Sequence, residues 1–272
     1  MNPSALAIHA VVDNPLAKLE LARRLLAETR SVDEVKMIRN LGEAARVYAR
    51  QAGLSGSVSP PRLRSAPTPR AVLHRLGRLP NPLDWPPADR IGANRFDDPA
   101  RHFRVLYAAR QRTACFAETL AAFRPSLELL AETGDPADIT GDVSAGFLRA
   151  RGTATFHLRR GRWLDVRRLQ TLEALRSAFG PRLHEFGLAD VDLGGVCGPE
   201  RAFTQAVAAW AYESGYHGIV YASRFAASFE CWAVFDSASI ESVGSVVPIS
   251  LDDTDLQAVA RVFALQLPSV LR

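Results

Sequence analysis

Between residues 53 and 69 the chain reads GLSGSVSPPRLRSAPTP, and this crowding of Gly, Ser and Pro, in which no hydrophobic period survives, separates two segments of different character. Upstream, Leu16, Leu19, Leu21, Leu25 and Leu26 form one apolar stripe. Ser31 and Glu34 are then spaced as a capping box, opening a second helical run through Val35, Ile38, Leu41, Ala45 and Tyr48. The pattern predicts a helical hairpin over 1–52, a linker over 53–70 and a main domain over 71–272. The hairpin reads as a docking or dimerisation element. Downstream, short β-rich runs stand at 103–109, 154–158, 163–166, 218–223 and 231–236, with helical patterns at 111–123, 169–178, 200–214 and 253–265. Because strands and helices do not alternate regularly, an α+β domain is expected and a doubly wound sheet or a barrel is not. No internal repeat is visible.

At 272 residues, 47% hydrophobic and 23% charged, the chain can bury a full-sized core and is neither disordered, collagenous nor membrane-embedded in composition. No apolar run reaches the length of a bilayer span, and the N-terminal residues lack the order of a secretory signal, so the expected location is the cytoplasm. Cys115, Cys197 and Cys231 have no CxxC or CxxH spacing and read as small apolar residues. Only Lys18 and Lys36 are lysine, so 31 of the 33 basic residues are arginine. A GC-rich genome would produce such a bias, yet arginine is also the side chain suited to forked phosphate contact. Residues 1–112 carry net +9 and the remainder net −5, so the basic half would suit a polyanion or a phosphorylated small molecule. The dinucleotide, P-loop, zincin and hydrolase-elbow motifs are absent. Six scattered histidines, with His157 in a strand pattern, predict no metal site.

Three segments carry polar residues where local structure makes them unusual. In residues 73–99, Arg75 follows apolar Val72 and Leu73, and Arg95 sits in a Gly-Ala-Asn-Arg-Phe turn. Arginines held in turns around prolines can grip phosphate; the competing reading is that they are solvated or pair with Asp84, Asp89, Asp97 or Asp98. In residues 105–123, a helix would surround Glu118 with Ala114, Cys115, Ala121 and Ala122, small neighbours that leave a groove and offer no cation. A partly desolvated carboxylate of this kind is suited to tuned chemistry, although helices carry glutamates everywhere. In residues 204–236, an amphipathic helix and a Gly-Tyr-His-Gly turn lead into an apolar strand that ends at Ser223 and Arg224. Strand ends gather loops and commonly bind ligands; alternatively Ser223 only ends the strand and Arg224 is solvated.

In order and context these segments resemble the RES domain family: Arg75 in HRLG, Arg95 in NRF, Tyr107 in VLYAA, Glu118 in FAETL, and Ser223 with Arg224 in GIVYASR, preceded by TQAVAAWA and closed by CWAVFD. The resemblance covers about residues 71–240. It implies a fold similar to the ADP-ribosyltransferases, here a mixed sheet with surrounding helices, and an enzyme that consumes NAD⁺. Members of this kind are toxins of bacterial toxin–antitoxin pairs that cleave the nicotinamide–ribose bond by phosphorolysis or hydrolysis, with an Xre-type helix-turn-helix antitoxin as partner. NAD⁺ would then be a substrate, not a resident cofactor, with inorganic phosphate as a candidate co-substrate.

The resemblance also implies roles. Glu118, Arg75 and Ser223 would be the catalytic set. Arg75 and Arg95 would hold pyrophosphate or incoming phosphate, Tyr107 would flank the nicotinamide, Ser223 would orient its ribose or amide, and Arg224 would join the NAD⁺ contacts. Glu118 would stabilise the charge that develops as nicotinamide departs. Nicotinamide leaves as a neutral molecule from a cationic linkage, so one carboxylate suffices where glycosidases use two. Transfer of ADP-ribose to a protein is the alternative activity, and a non-catalytic module binding nucleic acid or protein is the alternative from another class. A homo-oligomer is compatible with the hairpin; membrane association and direct nucleic-acid binding are disfavoured. The hairpin and the interval 124–200 are additions relative to compact members of the family.

Overall fold

The computed structural model describes residues 65–125, 131–132, 141–198 and 201–271; the expected helical hairpin and most of the linker lie outside the described residues. Contacts separate a unit ending at Pro61 from one running from Arg62 to Arg272, and only the second is described. Its strands are β1 (Leu73–Arg78), β2 (Val105–Ala109), β3 (Gly141–Asp142), β4 (Arg151–Leu158), β5 (Leu164–Asp165), β6 (Gly218–Ala222), β7 (Glu230–Phe235), β8 (Ile240–Pro248) and β9 (Leu265–Gln266). Its helices are α1 (Arg112–Leu120), α2 (Ala145–Arg149), α3 (Leu169–Phe179), α4 (Leu193–Cys197), α5 (Arg201–Glu213) and α6 (Thr254–Val262). Seven strands form one mixed sheet in the order β5-β6-β7-β2-β1-β4-β8, antiparallel throughout except for the β5–β6 pair. β3 and β9 pair separately. The domain is α+β, as expected.

The central strands read as continuous apolar runs because both faces of the sheet are covered. In β7, Cys231, Ala233 and Phe235 join the main core with the helices, while Trp232 and Val234 join a second cluster behind the sheet. That second cluster includes Leu73, Leu106, Phe156 and Trp163, with Trp163 and Trp232 edge to face at 5.4 Å. Residues 65–70, read as the end of the linker, pack here: Ala66 bridges to Trp163, and the Trp163 indole N–H donates to Thr68 Oγ1 at 3.0 Å.

Two strands of the seven-stranded sheet were not anticipated, and neither was the short β3–β9 pair. β1, LHRLGR, has no period-two alternation, with His74 and Arg75 adjacent and Gly77 inside it, and Arg75 projects from a strand and not from a proline turn. β8, IESVGSVVP, is mostly exposed and lacks an apolar face that would mark it. Among the described residues, no helix is long and apolar enough to cross a membrane, and no cluster of His, Cys, Asp or Glu could hold a metal ion.

Candidate functional site

β1 and β2 pair at His74 and Ala109, and one residue further along, a side chain takes over the bridging. Arg75 donates from Nη1 to the Tyr107 carbonyl at 2.7 Å and from Nε to the Pro82 carbonyl at 2.6 Å. A cavity of about 830 Å³ opens along these two strands, within the size range of small-molecule sites. Gly77 lines it, and any Cβ there would meet the Pro82 carbonyl at 2.5 Å, so the loop after β1 can fold over the strand only at glycine. Burial pulls the Arg75 guanidinium down to about 10, which leaves it charged at neutral pH. No carboxylate among the described residues forms an ion pair with it. Of the four candidate partners, Asp97 bonds Tyr107 and its own loop, Asp98 pairs with His102, Asp84 bonds Asn81, and Asp89 forms no ion pair among the described residues.

Arg95 reaches the same cavity from a loop organised by a buried carboxylate. Asp97 is 3% exposed, and its Oδ2 accepts from the Gly92 N–H at 3.1 Å and from the backbone and side-chain nitrogens of Asn94, both at 2.9 Å. Its Oδ1 accepts from the Tyr107 hydroxyl at 2.9 Å, and that hydroxyl accepts in turn from the Phe96 N–H at 2.9 Å. Helix α5 closes the loop from the other side: Thr204 Oγ1 donates to the Arg95 carbonyl at 2.6 Å, and Gln205 Nε2 to the carbonyls of Gly92 and Asn94, both at 3.0 Å. Arg95 itself donates to the Gly198 carbonyl. Tyr107 thus lines the cavity while its hydroxyl is committed to structure; burial, then Asp97, pushes its pKa well up.

Glu118 projects from α1, a helix held at both ends of its first turns. Gln111 bonds the Ser228 carbonyl and the Glu230 N–H, Arg112 forks onto Asp253 and Asp255 at the start of α6, and Cys115 donates to the His74 carbonyl at 3.0 Å. Ala114, Cys115, Ala121 and Ala122 line the cavity beside Glu118, which is the groove expected from their spacing. Glu118 is half-buried and makes no hydrogen bond or ion pair with any described residue. Its charge contributes to raising the pKa of Tyr221, Cys231 and Cys197, in each case behind burial as the main cause. Burial pushes the Cys115 thiol up to about 12 and Cys231 higher still, so both are neutral and serve as packing.

At the end of β6 the two sequence candidates part. Arg224 and Phe225 line the cavity, with the guanidinium 5.0 Å from the Phe225 ring centroid. Ser223 is buried at 5% exposure and is not part of the lining; its Oγ accepts from the Phe225 N–H at 3.1 Å, and its N–H donates to the Phe229 carbonyl at 3.0 Å. It shapes the turn that presents its neighbours. The structure therefore gathers Arg75, Arg95, Tyr107, Glu118 and Arg224 around one cavity and leaves Ser223 behind the wall.

Sequence reasoning passed over several lining residues. Tyr221 is buried against Phe96 at 4.9 Å, and Arg78, Arg90, Arg151 and Arg201 bring the lining arginines to seven, against only Asp84 and Glu118 as acids. Tyr221 lies in the apolar run of β6; Arg78 and Arg90 lie in the 73–99 segment without a feature that sets them apart from its other arginines, and Arg151 and Arg201 lie outside the three segments.

Among comparisons with known proteins, the RES domain family model matches residues 70–258. A solved structure, that of the M. tuberculosis MbcT–MbcA toxin–antitoxin complex, is similar at a TM-score of 0.48 and 15% identity, over 74% of this chain and 91% of that one. No curated protein matches. With well over half of its length matched, from the strand that carries Arg75 to the helix that anchors Arg112, the chain belongs to the RES domain family.

Proposed function

We propose that this protein is an enzyme that consumes NAD⁺ by breaking the nicotinamide–ribose bond, and that it acts as the toxin of a toxin–antitoxin pair with a helix-turn-helix antitoxin of Xre type. The observation that carries the chemistry is Glu118: a carboxylate without a hydrogen-bond or ion-pair partner among the described residues, seated among small residues on a tied helix, in a cavity whose other described charges are seven arginines and Asp84. Arginines suit the two phosphates of the dinucleotide, with Arg75 already desolvated and aimed from the sheet. The carboxylate suits the ribose. As the C1′–N bond breaks, its electron pair goes to the ring nitrogen and neutralises it, positive charge builds on the ribose, and a fixed anion lowers that barrier. Water or inorganic phosphate then forms the new C1′–O bond; water releases a proton. No acid is needed to protonate the leaving group, which agrees with a site that has no histidine in its lining.

Ser223, in this reading, positions the Arg224 turn and touches the substrate only if that turn moves. The toxin role and the partner rest on family membership. The test is NAD⁺ consumption by purified protein, wild type beside Glu118→Gln, with and without inorganic phosphate, with products identified by mass. Loss of NAD⁺ in the wild type alone is expected, and the product mass separates ADP-ribose from its phosphorylated form. Intact NAD⁺ in both buffers with a folded protein would overturn the reading, and label appearing on a protein band would redirect it to protein ADP-ribosylation.

A further inference from the structure

Three arginines of the lining, apart from Arg75, act on one another. Arg78 ends β1 and Arg151 begins β4, and the two are direct partners across the antiparallel ladder. Partners of this kind have Cβ atoms about 5 Å apart, and like charges placed there are destabilising. Arg90, the last residue of a one-turn helix (Ala88–Arg90), adds a third positive charge, and all three line the cavity. No carboxylate among the described residues forms an ion pair with any of them.

Arg151 cannot swing away to relieve the repulsion. Its Nη1 donates to the Phe147 carbonyl at 2.9 Å, and its guanidinium lies 3.4 Å from the Phe147 ring centroid. Burial, followed by Arg78 and then Arg90, pulls its pKa down to about 10, so at neutral pH it is held charged at a cost to the unliganded fold. The cost is present below about 10 and is relieved by a bound anion. The cluster also stands apart from Arg75, three residues or roughly 10 Å along β1.

We propose that Arg78, Arg90 and Arg151 form a second oxyanion subsite of this cavity that takes a phosphate dianion. Three arginines of one lining, Arg78 and Arg90 exposed and Arg151 half-buried between their charges, match its charge and its several acceptor oxygens, and their mutual repulsion is what the bound anion removes. Two sources carry this chemistry: free inorganic phosphate, or a phosphate ester on the nucleotide such as the 2′-phosphate that distinguishes NADP⁺ from NAD⁺. The position inside the cavity rests on its reading as a nucleotide site, whereas the anion binding itself does not.

The experiment measures inorganic phosphate binding by calorimetry and by thermal shift on the full-length protein, without nucleotide, at constant ionic strength. Wild type is compared with Arg78→Gln, Arg90→Gln and Arg151→Gln, and with Arg104→Gln, which removes an arginine paired with Asp236 outside the cavity. Wild type and Arg104→Gln should bind phosphate and gain melting temperature, while each cluster variant should lose at least tenfold in affinity. Arg78→Gln should melt no lower than wild type without ligand, a result that a merely structural arginine would not give. Affinities for NAD⁺ and NADP⁺ then separate the sources. Preference for NADP⁺ that vanishes in the variants assigns the ester; phosphate that binds alongside NAD⁺ without competing assigns the free ion. Unchanged phosphate affinity and an unchanged NADP⁺ to NAD⁺ ratio in Arg78→Gln and Arg90→Gln would overturn the proposal, even if NAD⁺ is cleaved. Phosphate binding by wild type without any NAD⁺ cleavage would instead sustain the subsite and remove the enzymatic reading.

Discussion

Arginine serves two opposite purposes in this domain. Between α1 and α6, Arg112 forks onto Asp253 and Asp255, whose hydrogen bonds raise its pKa above the ordinary value. Beside β6, Arg167 is neutralised in the same way by Asp165 and Glu230. In the cavity, Arg75 and Arg151 bond only to backbone carbonyls, and burial pulls both down to about 10. Where arginine joins elements the chain supplies the counter-charge; for Arg75 and Arg151 no carboxylate among the described residues forms an ion pair. A desolvated charge without a partner is costly, so Arg75 and Arg151 are suited to something anionic that arrives from outside, and the exposed Arg78, Arg90, Arg201 and Arg224 add positive charge around them.

The contrast is sharpest at Glu118, the cavity's unpaired carboxylate on the helix that Arg112 ties down. Glu118→Gln should keep the fold and NAD⁺ binding and lower NAD⁺ turnover by roughly 100- to 1000-fold, the scale of losing one electrostatic contact in a transition state. Full turnover in that variant would detach the chemistry from this cavity. Arg112→Ala should act on stability instead, costing about 2–3 kcal/mol by leaving two carboxylates facing each other, as read from the denaturant midpoint. Its acid response carries a sign. Bonds from Arg112 help to hold the Asp253 carboxyl below its ordinary value, so that stabilisation is complete above the ordinary carboxylate pKa and lost as pH falls through the lowered one. The wild type should therefore lose more stability in acid than Arg112→Ala does.

Arg75→Ala should be mixed. Roughly 1.5–3 kcal/mol of NAD⁺ affinity should go with the charged donor, measured by calorimetry, while the melting temperature changes less because a desolvated charge is removed along with its bonds. A large stability loss with intact affinity would place Arg75 with the joining arginines. Smallest is Tyr107→Phe, about 1 kcal/mol, since Asp97 Oδ2 keeps three donors after Oδ1 loses one. Because that knot presents Arg95, the variant should also raise KM for NAD⁺ modestly with kcat little changed.

Much of the domain was visible beforehand, for reasons that particular elements make plain. VLYAA, GIVYA and ECWAVF are apolar on both faces, so they stand out as central strands whatever surrounds them. The small residues around Glu118 follow from helical spacing alone, and so does the groove beside it. β1 was hidden because His74, Arg75 and Arg78 break up its buried Leu73 and Leu76, the two arginines lining the cavity, and β8 because it lies at an exposed edge. Ser223 was expected at the substrate; strand-end position does not say which way a serine turns, and here the Phe225 N–H decided it.

The family and the α+β class were already carried by the sequence, as was the candidate order Arg75, Arg95, Tyr107, Glu118, Ser223 and Arg224, because these depend on local pattern and on order along the chain. Only the tertiary structure decided which arginines lack an acid, since ion pairing depends on partners 141 or 143 residues away, as for Arg112, or on the strand opposite, as for Arg78 and Arg151. Charge composition is a property of the chain. Charge compensation is a property of the fold.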